Sequence, residues 1–332
     1  MEKLDKKDFK ILYELDFNAR MPITKLAKKV GLSPQLTKYR LKKLTGKGVI
    51  RGFLALIDIH KLGYYSYRIY LRLQKVSSDD HSKIIKFFNI MLPSVWVVST
   101  SGRWDVEIVL LARNPVDFNN ILRKIKGKLG EQLKNYSISP SIFNYHFKRT
   151  YLIEAKREIV PEAFVYGFEY EPYKLDEINV RILNLLSKNA RMGNKDIGKA
   201  VGLSDGAVKE RIKKLEKDGI IQSYRIFIDI DKIGKKFYKA MATAKALSEE
   251  HEKVIYSFSA SRSEVTYFVG CFGEWDFEIE TEVNDEADFR KLMNEFMNQF
   301  GDVAGDYEVL HVYEQYKMDY FPIADRLLKK MK

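Results

Sequence analysis

The chain has 332 residues, with 57 Lys+Arg against 45 Asp+Glu, a formal charge of +12 and one cysteine, Cys271. Apolar residues make up 45%, enough for soluble cores, and no run of about 18 apolar residues exists that would span a bilayer. A lone cysteine excludes an intrachain disulfide and a cysteine-based zinc site. The start Met1-Glu2-Lys3-Leu4-Asp5 has no signal-peptide core. The expectation is a reduced, cytoplasmic protein of two to four domains without membrane contact.

The chain repeats itself. Leu4-Asp5 … Asn18-Ala19-Arg20-Met21 … Val30-Gly31-Leu32-Ser33 returns as Leu175-Asp176 … Asn189-Ala190-Arg191-Met192 … Val201-Gly202-Leu203-Ser204, an offset of 175 − 4 = 171. Between Leu4 and Gly63 roughly 26 of 60 aligned positions are identical without a gap. Two complete copies in one chain predict an intrachain pseudo-dimer. Charge divides unevenly between them. Residues 1–171 hold 31 Lys+Arg and 17 Asp+Glu (31 − 17 = +14), and residues 172–332 hold 26 and 28 (26 − 28 = −2). A polyanionic partner is the economical reading of the N-terminal excess, and solvated lysine-rich faces are the plainer one.

In chain order, Leu4, Ile11, Leu12 and Leu15 predict an amphipathic helix over about 5–17. A short second helix covers 24–30, and Gly31 stands where a left-handed turn is wanted. Ser33-Pro34 then gives an N-cap followed by proline at the first helical position. Thr37, Leu41 and Leu44 make the buried stripe of this third helix. Gln35, Leu36, Lys38, Tyr39 and Lys42 lie off it. Helix, turn, capped helix and strand from Gly48-Val49-Ile50 form a winged helix-turn-helix pattern. A helix offering donors and apolar groups suits the major groove, so Ser33, Gln35, Leu36, Lys38, Tyr39, Lys42 and Lys43 are the candidate DNA contacts. Arg40 reads equally as a phosphate ligand or a structural ion-pair partner. In the second copy the corresponding contacts are Ser204, Gly206, Lys209, Glu210 and Lys213, a smaller and partly acidic face. A different half-site, weaker binding and a purely geometric copy all remain open for it.

After Gly63 the period becomes two. Strands, helices 79–91 and 117–129, and a Gly102 hairpin give the order βαββαβ, repeated at 237–316. One face of such a sheet is left bare. It carries Arg68, Tyr70, Arg72, Asp105 and Glu107 in the first copy, and Lys239, Met241, Lys245, Asp276, Glu278, Glu280 and Glu282 in the second. These charges are complementary, which predicts sheets packed face to face within the chain; a solvated face with in-sheet pairs such as Arg72 beside Glu107 is the alternative. The fold class is α+β, two winged helix-turn-helix domains (1–62 and 174–233), each followed by a ferredoxin-like domain (63–150 and 234–320). A linker over 151–173, rich in Tyr, Phe and Glu, reads as packed rather than floating.

These segments resemble the leucine-responsive regulator (Lrp/AsnC) family. The resemblance rests on Val30-Gly31-Leu32-Ser33 … Arg40-Leu41-Lys42-Lys43-Leu44 … Gly48-Val49-Ile50 and on Gly102-Arg103-Trp104-Asp105, with counterparts through Gly273-Glu274-Trp275-Asp276. It implies a transcription regulator that binds double-stranded DNA, dimerises through the ferredoxin-like domains and often oligomerises further. A small effector, commonly an amino acid, would bind near the hairpin. Carried over, that region is Ser99, Thr100, Gly102, Trp104 and Asp105, and Val269, Gly270, Gly273, Trp275 and Asp276. Residue by residue, Gly102-Arg103 also reads as a plain turn and Trp104 as core. The tandem fusion departs from the family pattern and allows an asymmetric operator. No phosphate-binding glycine loop, metal motif or nucleophile triad appears, so no cofactor and no enzymatic activity are expected. Two other readings compete. One is an architectural DNA-binding protein without sequence preference. The other is an enzyme resembling siroheme decarboxylases, against which His60, His81, His146, His251 and His311 form no shared motif.

Overall fold

The computed structural model describes residues 4–153, 164–166, 172–245 and 248–331. In the first copy α1 spans Lys6–Asp16, capped by Asp5 in a reciprocal box with Asp8. Helix α2 spans Ile23–Val30 and ends on Gly31 at φ +68°, a backbone state in which a side chain is strained. Helix α3 spans Pro34–Gly46, with the Ser33 hydroxyl accepting from the Leu36 amide and Thr37, Leu41 and Leu44 buried. Then come β1 (Ile50–Ile57), β2 (Tyr65–Leu73), α4 (Ser78–Met91), β3 (Ser94–Ser101), β4 (Val106–Ala112), α5 (Pro115–Leu129) and β5 (Leu133–His146). Strand β6 (Phe164–Tyr166) pairs with β5.

The second copy follows as α6 (Glu177–Lys188), α7 (Asn194–Val201), α8 (Asp205–Lys217), β7 (Ile221–Ile228), β8 (Lys236–Ala244), α9 (Glu249–Ser261), β9 (Val265–Cys271), β10 (Phe277–Val283), α10 (Glu286–Phe300) and β11 (Ala304–Met318). A final helix, α11 (Ala324–Met331), which the sequence pattern did not signal, lies against α6. Residues 154–163 and 167–171 of the expected linker lie outside the described residues. Its described end is anchored: the Tyr173 amide donates to the Lys61 carbonyl at 2.6 Å and its hydroxyl to Asp218 at 2.8 Å.

The two helix-turn-helix units share one core, joined by the antiparallel ribbon of β1 with β7. Each strand after the third helix therefore pairs with its counterpart in the other copy. The ribbon's ends are closed in mirror fashion: Asp58 N donates to Ile220 O and Asp229 N to Val49 O, both at 2.9 Å.

The ferredoxin-like sheets do more than face each other. Strand order runs β5-β2-β4-β3 in the first copy and β11-β8-β10-β9 in the second, and β3 pairs with β11 while β5 pairs with β9. Both edges are thus used, and eight strands close into a barrel with no free edge in the ring. Helices α4 and α5 cover one half and α9 and α10 the other.

Inside the barrel lie the charges expected on the bare faces. Lys239 contacts Glu107 at 2.5 Å, Glu278 at 3.1 Å and Glu280 at 3.2 Å. Arg68 reaches Glu107 at 3.0 Å, Glu278 at 3.1 Å and Glu280 at 2.8 Å. The Tyr70 hydroxyl donates to Glu278. Burial raises the Glu278 pKa, but Arg68 and Lys239 outweigh it and leave that carboxyl below its ordinary value. Burial wins at Glu107, whose pKa is raised. The other expected charges, Arg72, Asp105, Lys245, Asp276 and Glu282, lie outside this cluster. Arg72 pairs with Asp105 at 3.0 Å at the barrel mouth, and Lys245 donates to the Gly301 carbonyl. Both lie where the sheet ends and solvent is within reach.

A second buried cluster ties the first helix-turn-helix to the barrel. Arg149 donates to Asp16 through its amide (2.9 Å) and Nη1 (2.7 Å), and to Glu282 through Nε (2.7 Å) and Nη2 (2.8 Å). Arg225 adds a bond to Asp16 at 3.2 Å and meets His146 Nδ1 at 2.8 Å. The positions 171 residues away are Ser187 and Tyr320 for Asp16 and Arg149, and Leu54 and Leu111 for Arg225 and Glu282, so this lock has no twin on the other side. Burial pushes the Asp16 pKa up, yet Arg225 and Arg149 outweigh burial and hold it below 3.8. A depressed carboxylate pKa stabilises the fold above its unfolded value, and that stability is lost as pH falls through the folded pKa. Asp16→Asn is expected to cost about 3–5 kcal/mol at neutral pH, because it takes the carboxylate from buried Arg225 and leaves buried Arg149 with Glu282 alone. In urea melts at successive pH values the difference from the parent should narrow below about pH 4.

Candidate nucleic-acid interface

Helix α3 is held by its buried stripe and by a brace. Arg40 Nη1 contacts Asp5 at 2.7 Å and Asp8 at 2.8 Å on α1. Of its two sequence readings, the structure shows the ion pair. Arg211 repeats the brace with Asp176 at 2.6 Å and Asn179 at 2.9 Å. Leucine and threonine thus fix one side of α3 and arginine fixes its height on α1. The other side, Gln35, Leu36, Lys38, Tyr39, Lys42 and Lys43, is exposed, with Tyr39 at 65% and Leu36 at 40%. Two large apolar side chains thus stand in solvent beside the amine donors of Lys38, Lys42 and Lys43. Ser33 caps this helix and Ser204 caps α8, so each hydroxyl is already engaged with a backbone amide. On α8, Gly206, Lys209, Glu210 and Lys213 are exposed, and Lys213 pairs with Glu210 at 3.2 Å.

The hairpin residues divide differently. Trp104 and Trp275 are buried with Tyr70, Met241, Cys271 and Leu310 inside the barrel. The Thr100 hydroxyl donates to the Trp104 carbonyl at 2.8 Å. Asp105 accepts from the Leu73 amide, and Asp276 from the Ala244 amide, both at 2.7 Å. Gly102 sits at φ +129° and Gly273 at φ +124°, and a Cβ at either would press on a carbonyl of the other copy, Val309 or Ile138. These residues build the turn and seat each hairpin tip on the opposite last strand. Arg103 joins the tips through Glu274 and Glu308.

Beside this turn the copies diverge. In the first, an open groove of about 970 Å³ runs between α4 and β11. It is lined by His81, Asp105, Glu314, Tyr316, Lys75 and Lys86. His81 Nε2 and Ser99 Oγ lie 3.1 Å apart, Ser99 and the Tyr316 hydroxyl 3.0 Å apart, and Tyr316 donates to Glu314 at 2.9 Å. Lys75 on the rim has φ +51°, uncommon for a residue with a Cβ. At the equivalent place in the second copy Gly270 replaces Ser99 and Phe143 replaces Glu314. The Phe143 ring fills the space a Gly270 side chain would need and packs on Phe268 and Tyr145. Val269, the preceding residue of β9, is buried. Of the hairpin residues singled out in the sequence, Asp105 lines the groove and buried Ser99 lies behind it, bonded to His81 and Tyr316. The five histidines have separate surroundings: His60 beside Asp58, His81 in the groove, His146 against Arg225, His251 capping α9 and His311 stacked on Tyr238.

The family model for winged helix-turn-helix DNA-binding segments matches residues 4–51 and again 175–222. A leucine-responsive regulatory protein of Haemophilus influenzae is 32% identical over 122 residues, covering 36% of this chain and 72% of that protein. An uncharacterized HTH-type transcriptional regulator of Pyrococcus furiosus is 34% identical over 151 residues, covering 45% of this chain and 96% of its own. The chain belongs to the Lrp/AsnC family. Each of these relatives corresponds to about one copy, so this Lrp/AsnC protein is a tandem of two units. Among solved structures, the siroheme decarboxylase NirDL matches 98% of both chains with a TM-score of 0.60 and 16% identity. That likeness shows a shared two-unit fold.

The aromatic plug is directly testable. Gly270→Ala should destabilise the protein by about 1–3 kcal/mol through overpacking against Phe143, read as a lower urea midpoint, and Phe143→Leu in the same chain should recover most of that loss.

Proposed function

We propose that the chain is a sequence-specific regulator that binds double-stranded DNA as an intrachain pseudo-dimer, one helix-turn-helix on each half-site. The observation that carries this reading is the pair of braced helices with exposed outer faces, held at a set separation by the β1–β7 ribbon. Family membership supports it. Gln35, Lys38 and Tyr39 read bases in the first half-site, with Leu36 on methyls or sugars and Lys42 and Lys43 on phosphates. Lys209 and Glu210 read the second, with Gly206 permitting close approach and Lys213 beside the backbone. The unlike faces favour an operator with unlike halves. In this reading the domains divide near residues 62, 150, 173 and 233, and the work is done in the cytoplasm.

We also propose that a small effector carrying both charges, such as an amino acid, occupies the first-copy groove. Cationic Lys75 and Lys86 and anionic Asp105 and Glu314 line it together, which suits an ammonium and a carboxylate on one ligand. Phe143 blocks the twin site, so one effector binds per chain.

We read the chain as non-enzymatic. The fold shared with a siroheme decarboxylase fixes architecture, whereas chemistry lives in side chains, and the dispersed histidines support no common tetrapyrrole site.

Fluorescence anisotropy against an operator and a scrambled duplex tests the first proposal. Lys38→Ala with Tyr39→Ala should erase the preference for the operator while circular dichroism stays unchanged; retained preference would refute the docking. For the effector, calorimetry across the twenty L-amino acids should find a ligand saturating near one per chain. His81→Ala with Glu314→Gln should weaken it by about tenfold or more.

A further inference from the structure

Arg20 and Arg191 are the same position in the two copies, and each reaches across the pseudo-twofold axis. Arg20 Nη1 donates to the carbonyls of Ala190 at 2.7 Å and Met192 at 3.0 Å. Arg191 Nη1 donates to those of Ala19 at 2.6 Å and Met21 at 3.1 Å. Each guanidinium also lies 5.5 Å from a ribbon ring of the other copy, Tyr224 for Arg20 and Phe53 for Arg191. Burial, and then the charge of Arg20, hold the Arg191 pKa below its ordinary value. Among the described residues neither arginine meets a carboxylate.

Arg191 opens onto an outer groove of about 530 Å³ beside the reading helix of the first copy. Lys38 and Lys42 of α3 line the same groove, with Ile23, Leu41 and Phe53 forming its apolar floor. None of its described lining residues is acidic, and neither lysine has an acidic partner among the described residues. Three cations on an apolar floor repel one another, and an anion placed between them relieves that repulsion. A guanidinium with a fixed plane also presents donors to phosphate oxygens.

We propose that Lys42 and Arg191 form a composite site for one backbone phosphate of duplex DNA, beside the base-reading Lys38 on the same groove, the arginine being supplied by the second copy. The site rests on the DNA-binding reading and extends it: the grip of the first helix-turn-helix is completed by a residue from the other half. The mirror-related set is partly engaged within the chain. Lys213 pairs with Glu210 at 3.2 Å, and Arg20 Nη2 donates to Asn194 Oδ1 at 2.9 Å, where the first copy has Ile23. The phosphate site is therefore one-sided.

Phosphate contacts are independent of sequence, so a mixed-sequence duplex of about 30 base pairs is a sufficient probe. Anisotropy titrations at a series of NaCl concentrations give the slope of log K against log salt. Arg191→Gln should lower the magnitude of that slope by about 0.9 and weaken binding several-fold at low salt. Arg191→Lys should keep the slope. Arg20→Gln, which removes the same pair of carbonyl bonds at the mirror position, should also keep it. If Arg191→Gln fails to fold, Lys42→Gln on the exposed face of α3 carries the same expected loss. An unchanged slope in both glutamine variants at the groove, or an equal loss in Arg20→Gln, would overturn the site. Failure of the parent protein to bind duplex at any salt would instead overturn the DNA-binding reading on which the site rests.

Discussion

The rest of the molecule depends on a buried cluster of charges that the two copies share. Lys239 of the second copy is buried against Glu107 of the first, and Arg68 of the first against Glu278 and Glu280 of the second. Each cation also has a partner in its own sheet, Glu107 for Arg68 and Glu278 and Glu280 for Lys239, so what closing the barrel adds is the cross-copy contacts, and removing one partner from this buried set is expected to cost about 3–5 kcal/mol. Apolar faces could have glued the sheets together in many registers; fixed ion pairs at 2.5–3.2 Å admit few. Closure of both barrel edges and the shared core beneath the β1–β7 ribbon extend the same constraint to the helix-turn-helix units. Helices α3 and α8 are thus set relative to each other by buried charge and a shared core, within one chain.

A frame this symmetric makes departures from symmetry informative. Where an oligomer of identical chains must repeat every feature, a tandem chain lets each half specialise. The buried lock of Asp16, Arg149 and Glu282 exists on one side only, because the opposite positions are Ser187, Tyr320 and Leu111. The open groove has His81, Ser99 and Glu314, whereas its twin is filled by Phe143 over Gly270. The basic reading face lies on the same copy as the excess positive charge. One half has kept exposed cations, an open groove and a tie between α1 and the barrel. The other presents a reading-helix lysine paired with an acid and a groove closed by an aromatic ring, while an arginine reaches across the axis from each half. A ligand in the groove would touch α4 and β11, elements of different copies, and so sits where the two halves could be biased against each other.

Much of this was legible in residues alone. The repeat at constant offset, the Ser33-Pro34 cap, the buried stripe of Thr37, Leu41 and Leu44 and the βαββαβ order are local patterns, and local patterns survive into structure with small shifts at element ends. The complementary charges on Arg68 and Glu280 pointed to sheet-on-sheet packing, because bare faces must be solvated or covered. Edge pairing is a different matter. Nothing in the period-two pattern of Ser99 or Glu314 says which strand lies beside it, so barrel closure and the cross-copy ribbon were hidden. So was the groove, whose His81, Ser99 and Tyr316 are distant in sequence and meet only once β11 crosses onto β3. Trp104 and Trp275 show the converse: a conspicuous motif whose side chains are core and whose aspartates serve the backbone.

The central claim is that one chain presents two unlike reading surfaces at a fixed separation. Selection of bound sequences from a random duplex library, at about physiological salt, tests it most directly. The account predicts one enriched site made of two different half-sites whose centres are about one or two helical turns apart. A perfect palindrome, a single half-site with no constraint beyond it, or binding without any enrichment would contradict it.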